Sequence, residues 1–535
     1  MSHPAPSPFP TRALAAAARQ LREFAGWSAD ATYLGPRWLI LRAVGLVYVL
    51  VFAGIIDDCR ALVGPHGLVP VDEFCSILRG IFPQSFERFV RAPSLFWISQ
   101  NAGFAAFLPW CGLAAAVDLV LNLAPRLALF GCWAVLLSFV AVWQIFSPAI
   151  IDQLMLEMAL LCIPFAPAGW RPGLGAASPP RPIAVFMLRW LLFRIMFESG
   201  CIKLFAGDPR WRDFTVMQAL HETNPSPTIL GYFDYHLPQA YHVGEVALTY
   251  VAELIAPLLA VFGGRSGRWC ALAAWFVLQA GIQLTGNFGW LNTAAMALGL
   301  VLLDDQMLAG AARIMRWPGV AGRLSPAAPP LPCANGWTCG VAVLLGLHFV
   351  VGLHAFLVTV AAHPAPAAPA FAARPLDYLF RDFHSANAYI PFATFPAMRY
   401  ELEFAGSNDD GATWRTYPYR YKPWQEDRMS PFLAPRFGRF DAAMQLALLQ
   451  NSPVILRVAE QLLRRNPDVG RLFAGDPFPD RPPDVVRMVV FRFAFTDRAT
   501  QQQTGHFWIK QFAGDLRPAL ILDAQGQLRQ DGDRP

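Results

Sequence analysis

Apolar residues fill the first two thirds of the chain in blocks separated by short polar stretches, and a membrane crossing needs about 20 of them in a row. Blocks that meet or approach this length lie at 38–56, 103–121, 127–145, 151–168, 183–205, 243–263, 269–286, 289–303 and 338–361. The eighth, "WLNTAAMALGLVLL", is short, as suits a segment that is partly re-entrant or packed inside a bundle. Ahead of them, "LAAAARQLREFAGW" has the period of a short amphipathic helix and no cleavable apolar core, so the first block is expected to serve as an uncleaved anchor. The pattern changes after "HPAPAAPAFAARP" (363–375), a linker composition. "RYELEFAGS" and "TWRTYPYRY" alternate around "SNDDG", a hairpin signal. "FDAAMQLALLQN" and "PVILRVAEQLLRRN" have helical spacing, while "VVRMVVFRFAFT" and "HFWIKQF" alternate again.

The expected architecture is a polytopic α-helical membrane bundle of about nine spans followed by a small α+β extracytoplasmic domain. Its parts are an N-terminal segment (1–37), the bundle (38–362), the linker (363–375), the C-terminal α+β domain (376–523) and a frayed tail (524–535). Arginines decide the orientation, because cytoplasmic loops collect positive charge. Arg126, then Arg171 and Arg181, then Arg265 and Arg268, then Arg313, Arg316 and Arg323 fall in alternate loops, on the side of Arg12, Arg19, Arg22 and Arg37. Nine crossings therefore give a multi-pass cell (inner) membrane protein with a cytoplasmic N-terminus and an extracytoplasmic C-terminal domain. Eight crossings reverse the last inference.

Composition agrees with a membrane chain. Of 535 residues, 55% are hydrophobic and 15% charged, and the mean hydropathy is +0.35. The net charge of +5 is dispersed, without the basic tract that would grip nucleic acid. Lys203, Lys422 and Lys510 are the only lysines among 43 basic residues, a bias typical of GC-rich bacterial coding. The nine cysteines form no CxxC pair and read as small buried hydrophobes.

Against this background "RWLLFRIMFESGCIKLFAGDPRWRD" (189–213) is anomalous, because a charge at the bilayer centre costs about 2.5–3.5 kcal/mol unless it faces protein. The cations Arg189, Arg194 and Lys203 face a matching set of anions, Glu157, Glu198 and Glu253. Two readings stay open. In one, these are structural ion pairs that hold helices in register, with Arg189, Glu157 and Glu253 as the members. In the other, Lys203, Glu198 and Arg194 line a polar pocket at the outer end of the fifth span, with Lys203 as a base; unlike arginine, a lysine readily loses its proton.

The following loop, 206–242, is rich in aromatic, acidic and histidine residues, as at a membrane interface. Trp211, Arg212, Asp213, His221 and Glu222 are its candidate binding groups. No HExxH or CxxC spacing supports a metal, and none is expected. Asn287, between two glycines in "TGNFGWLN", is expected to cap a helix facing the pocket. In the C-terminal part Trp414 and Arg415 are the candidate contact residues.

Read in order, "LFRIMFESGCIKLFAGDPRWRDFTVMQALHETNPSPTILGYFDYHLP", "TGNFGWLNTAAMALGLVLLDD", "YELEFAGSNDDGATWRTYPYRYKP" and "DPFPDRPPDVVRMVVFRFAFT" resemble the lipase maturation factor family, over about residues 38 to 520. The resemblance implies a membrane-embedded factor that helps exported proteins such as secreted lipases to fold, without catalysis or cofactor, acting through the loop 206–242 and the C-terminal domain. Its implied partners are membrane lipids and a secreted lipase or other exported client. Separately, "SGCIKLFAGDPRW" is similar to a short stretch of vitamin K-dependent gamma-carboxylase and its transmembrane relatives, in which the lysine of the KL pair is the base. That likeness implies the alternative: an enzyme using Lys203 on a lipid, quinone-like or peptide substrate.

Overall fold

A computed structural model describes residues 9–27, 31–147, 149–205, 207–324, 335–361 and 380–531. The expected linker (363–375) and Cys333 lie outside them. The long helices are α1 (Phe9–Phe24), α2 (Leu34–Val63), α3 (Ala102–Val120), α4 (Pro125–Trp143), α5 (Ala149–Phe165), α6 (Pro182–Phe205), α7 (Gln239–Phe262), α8 (Gly264–Thr285), α9 (Leu291–Gly299), α10 (Asp305–Ile314) and α11 (Gly336–Ala361). Every one of the nine apolar blocks is thus helical.

Fewer than the nine expected helices qualify as crossings by length and apolarity alone. By length and apolarity α2, α3, α4, α7 and α11 qualify, and α9 with its 3₁₀ extension and α10 make a sixth as a pair bent by 101°. α5 has 17 residues and α6 carries four charges, so both depend on protein neighbours rather than on lipid. α1 is amphipathic, as expected, and docks on the bundle through the carbonyls of its last turn. Among the eight described cysteines, Cys270 and Cys339 are exposed on helix surfaces and Cys111 is half-buried, against the expectation of burial; the other five are buried.

The C-terminal part is an antiparallel five-stranded sheet in the order β2-β1-β3-β4-β5, made of β1 (Arg399–Ser407), β2 (Arg415–Thr416), β3 (Val485–Phe495), β4 (Trp508–Leu522) and β5 (Leu528–Gln530). The expected hairpin is present, although β2 is two residues long. The tail expected to fray contributes β5, which pairs Leu528 with Leu522 and Gln530 with Leu520; the turn at Asp523, which binds the N–H groups of Gln525 and Gln527, sends the chain back onto β4. α12 (Arg439–Gln450) and α13 (Val454–Leu463) match the two helical periods and pack on β1 and β3.

β1 is buried on both faces. Leu402 and Phe404 join the apolar core, whereas Glu401 and Glu403 on the opposite face are also inaccessible. Their charges are met by Arg399 and by Lys422 at 2.6 Å for Glu401, and by Lys510 at 2.6 Å for Glu403. The two other lysines of the chain therefore act as counter-ions of one strand, Lys422 buried and Lys510 half-buried.

α12 is tied to the bundle by its first residue. Arg439 forks onto Asp152 of α5 at 2.8 and 2.9 Å and also donates to the Phe146 carbonyl. Its guanidinium lies 4.3 and 5.0 Å from the ring centroids of Trp143 and Trp290. Removing one member of such a buried pair strands the other charge, at a cost of about 3–5 kcal/mol. Arg439→Ala is therefore expected to lower the thermal unfolding temperature of the detergent-solubilised protein sharply. Arg436→Ala, which breaks an exposed pair with Asp57, is expected to cost at most about 1 kcal/mol.

Asp441, also in the first turn of α12, accepts the backbone N–H groups of Tyr421 and Lys422 at 3.0 and 3.2 Å, yet burial pushes its carboxyl up to about 6. A folded pKa above the unfolded one means that ionisation destabilises the fold. The cost is complete above pH 6 and vanishes as the pH falls towards 4. Asp441→Asn is expected to stabilise the protein by about 2 kcal/mol at pH 7.5, and the gap between the two melting temperatures should close at pH 4.

Candidate functional site at the junction of bundle and C-terminal domain

The charges of α6 face protein, and their partners come from two directions. Arg194 forms a fully buried ion pair with Glu157 of α5. The other oxygen of Glu157 accepts the Asn387 backbone N–H and side-chain amide, both at 3.0 Å, and the Tyr389 hydroxyl at 2.9 Å. Glu198 accepts the Tyr389 backbone N–H at 2.6 Å, and Arg194 donates to the Asn387 carbonyl at 3.2 Å. His348 of α11 stands 3.6 Å from Glu157. The stretch "SANAY" (385–389) thus enters the bundle and supplies partners to its buried ions, while Glu198 Oε1 and Arg194 Nε have no hydrogen-bond partner. The polar pocket expected beside Arg194 and Glu198 is filled by the chain's own backbone, because the domain expected to begin at 376 sends its first residues inward. Arg194 and Glu198, though four residues apart on one helix, each take a partner elsewhere.

Lys203 is held separately. Its ammonium lies 2.8 and 2.7 Å from the two oxygens of Glu253 and 3.3 Å from the Ser199 carbonyl, which commits all three donors. The face of Trp211 covers it at 5.3 Å. Glu253 belongs to a π turn (Val251–Ile255) that interrupts α7, and such turns commonly re-aim a side chain. Gly200 allows the approach, since a Cβ there would meet Leu254 Cδ2 at 2.6 Å and Glu253 Cβ at 3.1 Å. The "SGCIK" of α6 is therefore a close-packing surface as well as a charged one.

Arg189, expected in an ion pair, instead donates to three backbone carbonyls, those of Val301, Glu23 and Phe24, each at 2.9 Å. Glu23 and Phe24 end α1, where unpaired carbonyls and the helix dipole favour a cation.

The other candidates separate into buried supports and exposed groups. Trp211 is buried, and its indole N–H reaches the Phe392 carbonyl at 3.2 Å, so it does not offer a contact surface. Arg212 and Asp213 are exposed. Glu222 accepts the Phe495 backbone N–H at 3.0 Å at the end of β3, and burial raises its carboxyl above the usual range. His221 is buried beside Asp234, whose own carboxyl burial pushes up to about 6.

Asn287 does not cap a helix. It donates to the Ser226 and Pro431 carbonyls at 3.1 and 2.9 Å and accepts the N–H groups of Leu433 and Ala434 at 2.7 and 3.1 Å, clamping the C-terminal domain to the bundle. The turn that presents it needs Gly289, at φ +64°, where a Cβ would meet Phe437 at 2.7 Å. Trp414 and Arg415 stand apart from all of these. Arg487 stacks on Trp414 at 4.3 Å, and exposed Arg415 reaches the Pro477 carbonyl. They follow the Ser407 end of β1. Its other end, Arg399, binds the carbonyls of Glu222, Asn224 and Pro225, and the strand separates the two by about 26 Å at its usual rise.

Sequence reading missed Asn387, Tyr389, the Asp152–Arg439 pair and the role of Arg399. "SANAYIP" gave a faint signal, being a polar stretch between the expected linker and the first expected strand. The His242–Glu245 spacing of three on a helix was a further unread cue.

Comparison with known proteins places this geometry in a family context. The lipase maturation factor transmembrane domain model matches residues 35–310, and the lipase maturation factor C-terminal domain model matches residues 385–518. Lipase maturation factor 1 of Homo sapiens is 26% identical over 522 residues, covering 92% of this chain and 89% of that protein. Lipase maturation factor 2 of Rattus norvegicus is 26% identical over 601 residues, covering 91% and 83%. Lipase maturation factor 2 of Gallus gallus is 30% identical over 309 residues, covering 55% and 42%. No solved structure matches the chain.

If the Lys203–Glu253 pair is structural, losing one member should hurt more than losing both, since an apolar pair leaves no stranded charge. Lys203→Met alone is expected to cost about 3 kcal/mol or more. Lys203→Met with Glu253→Leu is expected to recover most of that loss, measured as melting temperatures in detergent.

Proposed function

Because this chain belongs to the lipase maturation factor family, whose transmembrane-domain model alone matches residues 35–310, we propose that it assists the maturation of exported proteins such as lipases. The client is held by the outer loop 206–242 together with the C-terminal domain, on the extracytoplasmic side of the cell membrane, and the bundle anchors both. The distribution of arginines among alternate loops supports that orientation.

The observation that carries the reading is an apolar groove built jointly by these two parts. Thr228, Ile229 and Leu230 of the loop, Leu284 at the end of α8, and Met429, Phe432 and Phe507 of the C-terminal domain line a space of about 660 Å³. Ile229, Leu230, Leu284 and Phe432 are exposed. A cluster of exposed apolar side chains of this kind marks an interaction surface. It suits the apolar segments that an incompletely folded exported protein displays. Exposed Arg212 and Asp213 and, away from the groove, the Trp414–Arg415 end of the sheet are further contact candidates.

The geometry gives no support to the gamma-carboxylase-like alternative. A general base must come within hydrogen-bond reach of the proton it removes. Lys203 is buried, bound through both oxygens of Glu253 and covered by Trp211, and Glu198 and Arg194 are occupied by residues 387–389.

The test is co-expression with an exported lipase, scored as lipase activity per amount secreted. Ile229→Glu with Phe432→Glu is expected to lower it by about fivefold or more, the effect of losing over ~1 kcal/mol of contact, at an unchanged level of the membrane protein. The Lys203→Met, Glu253→Leu protein is expected to retain maturation when matched for folded protein. Loss of maturation in that folded variant would favour the enzyme reading.

A further inference from the structure

Four side chains of the outer loop region converge on one point. His221 comes from the helix Val216–Thr223, Asp234 from the helix Ile229–Tyr235, and His242 and Glu245 from the first turns of α7. His221 Nε2 lies 3.3 Å from Asp234 Oδ2 and 3.8 Å from Glu245 Oε1, and His242 Nδ1 lies 2.7 Å from Glu245 Oε2. One ligand atom from each of His221, His242 and Glu245 falls within 4.8 Å of the other two. His221 and His242 are almost wholly buried, and Asp234 is more than nine-tenths buried.

Hydrogen bonding accounts for only part of this cluster. Both ring nitrogens of His221 and Oδ1 of Asp234 are buried without a hydrogen-bond partner, a rare state for buried polar atoms that calls for an explanation. His242 Nε2 faces the Tyr235 carbonyl at 3.4 Å. Its Nδ1 shares a 2.7 Å hydrogen bond with Glu245 Oε2, so a metal bound here takes the place of that proton.

The geometry points to a divalent-metal site of the zinc class, with His221, His242 and Glu245 as its ligands and Asp234 beside His221. Zinc takes imidazole nitrogen at about 2.0–2.1 Å and carboxylate oxygen at about 2.0–2.2 Å, usually in a tetrahedron. Neighbouring ligand atoms of such a tetrahedron stand about 3.3–3.6 Å apart; His221 Nε2 and Glu245 Oε1 are near that span at 3.8 Å, and an ion would open the 2.7 Å hydrogen bond between His242 and Glu245. Two imidazoles exclude the all-oxygen preference of calcium and magnesium. The Tyr235 carbonyl supplies the outer hydrogen bond that orients a ligating histidine. An ion on these ligands staples the eight-residue helix of His221, too short to persist alone, to the start of α7. Sequence reading expected no metal because the ligands come from two helices and share no compact motif.

The test uses the full chain purified in detergent without chelator, then stripped with EDTA and returned to Zn²⁺ or Co²⁺. Expected results are one equivalent of Zn²⁺ per chain by elemental mass spectrometry and the visible absorption of tetrahedral Co²⁺. A rise in melting temperature on adding Zn²⁺ is expected as well. His221→Ala and Glu245→Gln should each weaken Zn²⁺ binding more than tenfold and abolish the Co²⁺ band. Glu245→Gln keeps the side-chain shape, so it reports on the site even if His221→Ala fails to fold. Uptake below one equivalent, or uptake and spectra that Glu245→Gln leaves unchanged, would overturn the assignment.

Discussion

Everything in this molecule depends on the need to keep the ions of α6 out of lipid. An apolar helix with four charges cannot stand in a bilayer by itself, so Arg189, Arg194, Glu198 and Lys203 dictate what must surround it. Arg194 draws in α5 through Glu157, Lys203 draws in α7 through Glu253, and Arg189 draws in the last turn of α1. Glu157 and Glu198 still have acceptor capacity, and residues 387–389 take up part of it. Bundle and C-terminal domain are therefore one structure rather than an anchor and a passenger.

The same logic extends along the rest of the junction. Asp152 with Arg439, Asn287 with residues 431–434, and Arg399 with the carbonyls of 222–225 are polar contacts made by buried groups. Each group would be costly without its partner. Polar contacts of this kind fix geometry in a way that apolar packing alone does not, and they hold the outer loop against the end of β3, where Tyr232 donates to the Thr496 carbonyl at 3.1 Å. The groove between Ile229 and Phe432 inherits its shape from that fixed juxtaposition.

Much of this was legible in the chain. Runs of apolar residues gave all nine helical blocks, and the alternation of "RYELEFAGS" and "VVRMVVFRFAFT" gave β1 and β3, because these patterns are local and repeat at a fixed period. The pairing of Arg194 and Lys203 with acids of other helices followed from the absence of water. What was hidden depends on contacts far apart in sequence. Nothing local marks Asn387 as a partner of Glu157, 230 residues away, or Arg439 as a partner of Asp152, 287 away. Arg189 was misread for a related reason: carbonyls at a helix end bind a cation as a carboxylate would, and no residue type advertises them. Length and apolarity alone do not mark α5, α6 or α8 as crossings, and α5 and α6 owe their place to partners rather than to apolarity.

The entry of residues 385–389 into the bundle has a consequence for how the protein is made. A ribosome delivers Glu157 first, Arg194 37 residues later and Asn387 230 residues later. At about 5–20 residues per second, the guanidinium arrives within roughly 2–7 s, but the closing amides follow only after roughly 12–46 s. For most of its synthesis the helical part is an unfinished shell with a neutral ion pair and vacant acceptors, and the last third of the nascent polypeptide supplies the keystone.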